Sequence, residues 1–379
     1  MTKNPRHGRT SRWAGNWWVI GGIAVVVLGL LAAGGVLMLR SKGSTASADP
    51  KPKIVPLNVL ATTPANGVTG IDPSSTITVD LSTALAPDSP MPTLVPPVAG
   101  TWSELSANQL RFVAAGPLVP GSSETLTIPG GPAGLLGAQG QRLAAPTTTT
   151  FSVAPGTFLR LQQLLAQLGY LPLDFTPATQ PTSPQQAADP QQGTFTWRWA
   201  NQPASLTSLW SPGTENVITQ GAVMDFESVH GLAADGIAGP QVWTDLLQAA
   251  ATGSADPHPY GYVFVNQNLP QTATVYQNGS VAYTTLANTG VAAAPTAPGT
   301  FPVYLRYQVT TMSGTNPDGS KYVDPGIPWV SYFNGGDALH GFVRAQYGFP
   351  QSVGCVEMPP ANAAVVWPMT PIGTLVTVN

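Results

Sequence analysis

Charged side chains are scarce in this chain, because Asp, Glu, Lys and Arg make up only 9% of its 379 residues. Ordinary globular domains carry about 25% charged residues, so the composition argues against a helical cytosolic enzyme. Glycine (40 residues) and proline (39 residues) are abundant instead. Both residue types favour turns and interrupt regular elements. The sequence therefore predicts two or three turn-rich, β-rich domains joined by extended linkers.

Charge is also missing from the stretch Ala14 to Leu39, which is strongly apolar. At about 1.5 Å per residue it spans a hydrocarbon core of roughly 30 Å. Four basic residues precede the stretch and two follow it directly, which favours a cytoplasmic N-terminus. We therefore predict a basic cytoplasmic tail (residues 1–16), a transmembrane helix (17–39) and a linker (40–56). The protein would be a single-pass protein of the cell membrane with its later domains outside the cytoplasm.

The segment Ala46-Ser47-Ala48 leaves open the alternative that this N-terminal region is a cleaved signal peptide. Beyond residue 42 the chain has nine basic residues against eighteen acidic ones. This acidic balance argues against a nucleic-acid partner.

Cysteine is nearly absent, since Cys355 is the one cysteine in the sequence. A single cysteine excludes an intramolecular disulfide, and exported proteins usually avoid an unpaired thiol, so its retention favours a chemical use. His340 lies fifteen positions earlier. A thiol is a good nucleophile as thiolate and needs a base, and Gly354 allows a tight turn that aims backbone N–H groups at an oxyanion. The alternative is a buried, inert cysteine and a core histidine.

Residues 57–154 contain short alternating runs, such as Ile77, Val79 and Leu81, bounded by Pro, Gly or Asn-Gly. This pattern predicts the strands of a β-sandwich. With its opening Pro64-Ala65-Asn66-Gly67 and its closing Thr-Thr-Phe segment, the region resembles a bacterial immunoglobulin-like domain. We expect a spacer without chemistry that holds the later domains away from the membrane.

Residues 156–250 change to a helical period, with leucines at 161, 164, 165 and 168 before Gly169. A Pro/Gln-rich excursion (about 174–210) follows, and we expect its aromatic residues to pack part of it. The helical run from Ala222 and the segment Gly231–Trp243 (GLAADGIAGPQVW) complete a pattern that closely resembles a peptidoglycan-binding helical domain. The binding role is implied by the resemblance, whereas the spacing alone predicts a small helical module.

Residues 256–379 again predict β-structure, with a hairpin turn at Asn278-Gly279, a strand at 303–306 and a polar loop from Met312 to Pro328. The segments Trp329–Gly336 (WVSYFNGG), His340-Gly341 and Ser352–Met358 (SVGCVEM) follow in that order. This order resembles the L,D-transpeptidase (YkuD-type) catalytic domain. The predicted fold class is thus multidomain: one transmembrane helix, an Ig-like β-sandwich, a small α-helical module and a mainly-β catalytic domain.

The resemblance implies that Cys355 is the nucleophile and His340 the general base and acid. It also implies that Gly341 orients the imidazole through its carbonyl, that Ser352 opens the cysteine loop, and that the N–H groups around Gly354 form the oxyanion hole. The expected reaction is acyl transfer from a peptidoglycan stem tetrapeptide to an acceptor amine, giving 3→3 cross-links. No cofactor or metal is expected, and carbapenem-type β-lactams are expected to acylate the cysteine.

Two departures from the family pattern affect this expectation. Val353 replaces a common histidine, which leaves His340 as the nearby base, and Glu357 replaces a common Arg or Asn. A carboxylate close to Cys355 would oppose thiolate formation. Two rival functions stay open: an L,D-carboxypeptidase of the same fold, and a non-catalytic peptidoglycan-binding wall protein. Tyr307, Tyr322, Trp329 and Tyr332 either line a stem-peptide groove or pack a core.

Overall fold

The computed structural model describes residues 53–180 and 182–379. The predicted cytoplasmic tail and the predicted transmembrane helix (17–39) lie outside the described residues. Within the described ranges, no helix has both the length and the apolar character needed to cross a membrane.

The first domain is a β-sandwich. Its strands are β1 (Val59–Thr63), β2 (Ile77–Leu81), β3 (Thr93–Val95), β4 (Gly100–Ser106), β5 (Gln109–Ala114), β6 (Ser123–Ile128) and β7 (Thr147–Ser152). One sheet has the order β1–β2–β5–β4 and the other the order β3–β6–β7. Ile77, Val79 and Leu81 are buried between the sheets, as their alternation predicts.

The second region is built on helices. Its elements are α1 (Phe158–Gln167), β8 (Leu173–Pro177), a 3₁₀ turn (Pro184–Ala188), β9 (Gly193–Trp197), α2 (Ala204–Thr207), α3 (Val217–Val229) and α4 (Pro240–Thr252). The side chains of Thr157 and Asn216 cap the N-termini of α1 and α3. The predicted leucine face of α1 is buried in the core of this region.

The Pro/Gln-rich excursion is ordered by β8 and β9, which pair antiparallel. Phe195 packs edge-to-face on Trp210, with ring centroids 5.2 Å apart, and Leu206 is fully buried. The aromatic residues of the excursion therefore do pack part of it, as expected.

The third domain contains β10 (Gly261–Asn266), β11 (Thr272–Gln277), β12 (Ser280–Leu286), β13 (Gly299–Pro302), β14 (Leu305–Thr315), β15 (Lys321–Asn334), β16 (Asp337–Gly341), β17 (Val356–Met358), α5 (Pro360–Val366), a 3₁₀ turn (Trp367–Met369) and β18 (Leu375–Val378). One sheet has the order β12–β11–β10–β18–β13. The other has the order β14–β15–β16–β17 and carries the residues of interest.

The prediction of a polar loop from Met312 to Pro328 is wrong. The long strands β14 and β15 pair through most of it, and only residues 316–320 form the turn. Asp324 pairs with Met312 and Ile327 with Thr310, so β15 has one extra residue in between. This β-bulge accommodates the Pro-Gly pair that reads as a strand breaker in the sequence.

The helical region packs directly on the third domain. Tyr262 and Leu375 belong to the hydrophobic core formed by α1, α3 and α4. The backbones approach so closely that a Cβ on Gly221 of α3 would lie 2.6 Å from the carbonyl oxygen of Gly373. Glycine is required at position 221 for this contact, which fixes α3 against the loop before β18.

Candidate active site

Strand pairing brings His340 and Cys355 to one face of the sheet. Strands β16 and β17 are parallel, and His340 is paired with Glu357. Paired residues on neighbouring strands point to the same face, and so do residues two positions apart on one strand. Cys355 directly precedes β17 and lies two positions before Glu357, which brings it to the side of the sheet that His340 faces.

Both side chains line one cavity of about 380 Å³. Its other lining residues are Met312, Asn316, Tyr322, Asp324, Ile327, Phe342, Arg344, Gln351, Val353 and Glu357. One wall of the cavity is thus formed by the β14–β15 hairpin, which the sequence predicts as a loop. Of the four aromatic residues considered above, Tyr322 lines this cavity, Trp329 and Tyr332 pack against hydrophobic clusters, and Tyr307 is 43% exposed and outside the cavity.

The imidazole of His340 is held in one orientation. The side chain is 2% exposed, and its Nδ1 lies 3.1 Å from the carbonyl oxygen of Gly341. A carbonyl oxygen only accepts, so Nδ1 carries the proton and Nε2 of the neutral ring is free to accept one. Burial lowers the pKa of His340, although the Gly341 carbonyl and Glu357 partly offset this. The ring is therefore a neutral base at pH 7.

The thiol of Cys355 is half-buried, and its Sγ lies 3.6 Å from the carbonyl oxygen of Gly336. Burial raises the pKa of Cys355 to about 12, with smaller contributions from Asp337 and Glu357, against a lowering by the N–H of Ala338. Glu357 therefore raises the pKa of Cys355, as the sequence predicts, but burial raises it more. At rest the cavity thus holds a neutral thiol and a neutral imidazole.

Glu357 is paired with an arginine that the sequence analysis missed. Arg344 donates from Nε to Oε2 and from Nη2 to Oε1, both at 2.8 Å. The Glu357 side chain is nearly buried, and Arg344 also donates to the carbonyl oxygen of Gln351 at 3.3 Å. Bidentate pairing of this kind compensates the carboxylate beside the thiol. Arg344 lies in the connection between β16 and β17, thirteen residues before Glu357. The pair forms only when the chain folds, so no local motif in the sequence indicates it.

The predicted orienting residues act on the backbone of the site. Ser352 is buried, and its Oγ donates to the carbonyl oxygen of Cys355 at 2.6 Å. Gly354 has φ +119°, and a Cβ there would lie 2.4 Å from Oδ1 of Asp337. A Cβ on Gly341 would meet Cα of Pro360 at 2.9 Å. Within the described chain these three residues do not line the cavity; they fix the loop and strand that carry Cys355 and His340.

Iodoacetamide alkylates the thiolate directly and does not need proton transfer to His340, so its reaction with Cys355 is expected to be slow at pH 7 and to accelerate about tenfold per pH unit between about pH 7 and pH 10. The reason is that burial raises the pKa of Cys355 to about 12, so the thiolate fraction keeps rising over this range. Mass spectrometry of the modified protein gives the rates. The urea-unfolded chain is the control, and its rate should level off above about pH 9. A plateau below about pH 8 in the folded protein would contradict a neutral resting pair.

Comparison with known proteins identifies two of the domains. Residues 260–378 match the family model of the L,D-transpeptidase catalytic domain (YkuD), and residues 53–153 match that of the bacterial Ig-like domain. A search of curated proteins finds no match. The catalytic domain of the third region and the Ig-like domain of the first are thereby confirmed. Neither model covers the helical module, whose peptidoglycan-binding role stays a prediction.

Several solved structures are similar to this chain. An L,D-transpeptidase from Mycobacterium smegmatis is 13% identical, with 86% of this chain and 100% of that chain covered and a TM-score of 0.29. The catalytic domain of the E. faecium L,D-transpeptidase is 27% identical, with 32% and 99% covered and a TM-score of 0.30. L,D-transpeptidase 3 from Mycobacterium tuberculosis, in complex with a faropenem-derived adduct, is 11% identical, with 85% and 97% covered and a TM-score of 0.29.

Proposed function

We propose that this protein is a cell-wall L,D-transpeptidase that uses Cys355 as its nucleophile and forms 3→3 cross-links. The observation that carries the proposal is the shared cavity, in which Cys355 lies with an imidazole whose Nε2 is free, inside a domain that matches the L,D-transpeptidase catalytic family. The donor is a peptidoglycan stem tetrapeptide and the acceptor is an amine of another stem.

The first half-reaction acylates the cysteine. Nε2 of His340 takes the Sγ proton while Sγ attacks the carbonyl carbon after the third stem residue, and the C–N bond to the terminal D-Ala breaks. His340 then returns the proton to the leaving amine, which leaves a thioester on Cys355. Because the resting thiol is neutral, proton transfer accompanies attack and does not precede it.

The second half-reaction resolves the thioester. An acceptor amine attacks the thioester carbonyl, loses a proton to His340 and forms the new amide, and the thiol of Cys355 is regenerated. The N–H of Cys355, in the loop that Gly354 fixes, stabilises the oxyanion in both halves. Asp324 and Glu357 give the cavity two carboxylates against the one guanidinium of Arg344. This balance of charge supports an amine as the incoming group.

The other regions serve this reaction by location. The N-terminal segment anchors the protein in the membrane, and the Ig-like domain spaces the catalytic domain from it. The helical module has a mainly apolar groove of about 280 Å³, lined among others by Phe158, Val223 and Trp243. If this groove binds peptidoglycan, tethering raises the local concentration of stem peptides at the active site.

Incubation of the purified protein with tetrapeptide muropeptides tests the proposal. We expect 3→3 dimers and free D-Ala, and a mass increase at Cys355 after carbapenem treatment. Tripeptide monomer without dimer would replace the transpeptidase with an L,D-carboxypeptidase. A folded protein that forms neither product nor adduct would be a non-catalytic wall protein. Cys355→Ala, which should fold normally, is the matched control for all three readouts.

A further inference from the structure

A second cluster of ionisable side chains lies where the helical module meets the catalytic domain. Asp225 belongs to α3, and Asp256 and His258 belong to the segment that leads from α4 into β10. Their ligand atoms lie within 4.8 Å of one another. Nδ1 of His258 is 3.6 Å from Oδ1 of Asp225 and 3.5 Å from Oδ1 of Asp256. None of these residues lines the cavity of Cys355.

The carboxylates of Asp225 and Asp256 have little contact with solvent, although they carry like charge and lie close together. The Asp256 side chain is 3% exposed and the Asp225 side chain 16%. Oδ1 of Asp225 is buried without a hydrogen-bond partner. Two buried carboxylates at this separation repel each other unless a cation or a shared proton lies between them.

A tyrosine beside the cluster provides independent evidence for a ligand. Tyr170 is 1% exposed, and its Oη has no hydrogen-bond partner among the described residues. Tyr170 and Asp225 together line a cavity of about 20 Å³. A space of this size holds one water molecule, and buried polar atoms that lack partners are normally satisfied by water or an ion.

We propose that Asp225, Asp256 and His258 bind one divalent transition-metal ion of the zinc class. Two carboxylates and one imidazole are three ligands of the types that Zn²⁺ accepts, and a water hydrogen-bonded to Oη of Tyr170 completes a tetrahedral shell. The imidazole favours Zn²⁺ over Ca²⁺ or Mg²⁺, which prefer oxygen ligands alone. The sequence analysis did not identify this site, because Asp225 belongs to α3 and is far from Asp256 and His258 along the chain.

The role of this ion is structural. It joins α3, in the helical module, to the segment that enters β10 of the catalytic domain. The same helix is already in close contact with the loop before β18 through Gly221 and Gly373. The ion therefore stabilises the interface between the helical module and the catalytic domain, and it takes no part in the acyl transfer.

Zinc titration of the full-length, chelator-treated protein tests the proposal. The Cys355→Ser background is used, because Cys355 and His340 could themselves bind zinc. We expect one equivalent of Zn²⁺ by calorimetry, and a melting temperature that rises by about 5 °C at 100-fold excess of zinc over Kd. Asp225→Asn, Asp256→Asn and His258→Gln should each weaken binding by about 100-fold or more, whereas Asp245→Asn on α4 is the matched control and should bind normally.

Several outcomes would overturn the proposal. One is zinc binding that is unchanged in all three ligand variants. Another is a parent protein that takes up no zinc while Asp225→Asn melts higher than the parent in chelator, because a shared proton then explains the pair. With Co²⁺ as probe and Cys355 restored, the ligand variants should lose the d–d bands; a thiolate-to-cobalt charge-transfer band as the sole signal would place the ion at the active site.

Discussion

Replacement of His340 with glutamine is expected to slow acylation of Cys355 by about 10²–10⁴-fold at pH 7, the usual contribution of a general base. Glutamine can still donate to the carbonyl oxygen of Gly341, so the fold should be retained. The loss would come from the missing acceptor Nε2 in a cavity whose thiol is protonated at rest. The rate is measured as adduct formation with a carbapenem by rapid-quench mass spectrometry.

The pH profile separates a base from a merely structural residue. Burial lowers the pKa of His340, so the base form is fully present above its usual titration range and the wild-type rate should be flat from about pH 7 to pH 9. In His340→Gln only the thiolate reacts. Because the pKa of Cys355 is raised to about 12, the rate of the variant should rise about tenfold per pH unit over the same range. A variant with a slow but flat profile would show that His340 is not the base.

Replacement of Arg344 with alanine is expected to destabilise the catalytic domain by about 3 kcal/mol, because it leaves the nearly buried carboxylate of Glu357 without its bidentate partner. The value lies at the lower end for broken buried pairs, since the Arg344 side chain is 31% exposed and water can reach the site. Urea unfolding followed by tryptophan fluorescence measures the change in the free energy of unfolding.

The double variant Arg344→Met/Glu357→Met is the matched control for this effect. It removes both charges, so we expect it to lose much less stability than Arg344→Ala. If the single and the double variants were equally unstable, the loss would come from packing, for example of the guanidinium over the Phe342 ring, whose centroid lies 4.5 Å away. The ion pair would then have little importance for the fold.

Local patterns in the sequence predicted much of the fold. The leucine period of α1 and the alternation in β2 report burial directly, and Asn278-Gly279 has the positive φ values that a tight hairpin turn requires. The β14–β15 hairpin escaped prediction because its far half buries no residue, with Val323 66% exposed, and its bulge contains Pro and Gly. There the two strands are held together by hydrogen bonds between their backbones. The pattern of hydrophobic side chains therefore does not indicate the pairing.

The candidate site also has features that the sequence predicts and features that only the folded structure shows. Cys355 and His340 lie in a recognisable motif, so the sequence placed them in one site. The Arg344–Glu357 pair and the dominant effect of burial on the thiol depend on the parallel register of β16 and β17 and on the hairpin above them. These are long-range consequences of the fold, and residue spacing along the chain does not contain them.

The protonated resting state of Cys355 also bears on the chemical lifetime of the protein. Peroxide oxidises thiolates to sulfenic acid, and further oxidation is irreversible. A thiol whose burial raises its pKa to about 12 presents almost no thiolate to an oxidant in solution. The chain has no second cysteine that could rescue a sulfenic acid as a disulfide. In the proposed mechanism, the burial that makes Cys355 depend on His340 therefore also protects it from oxidation between turnovers.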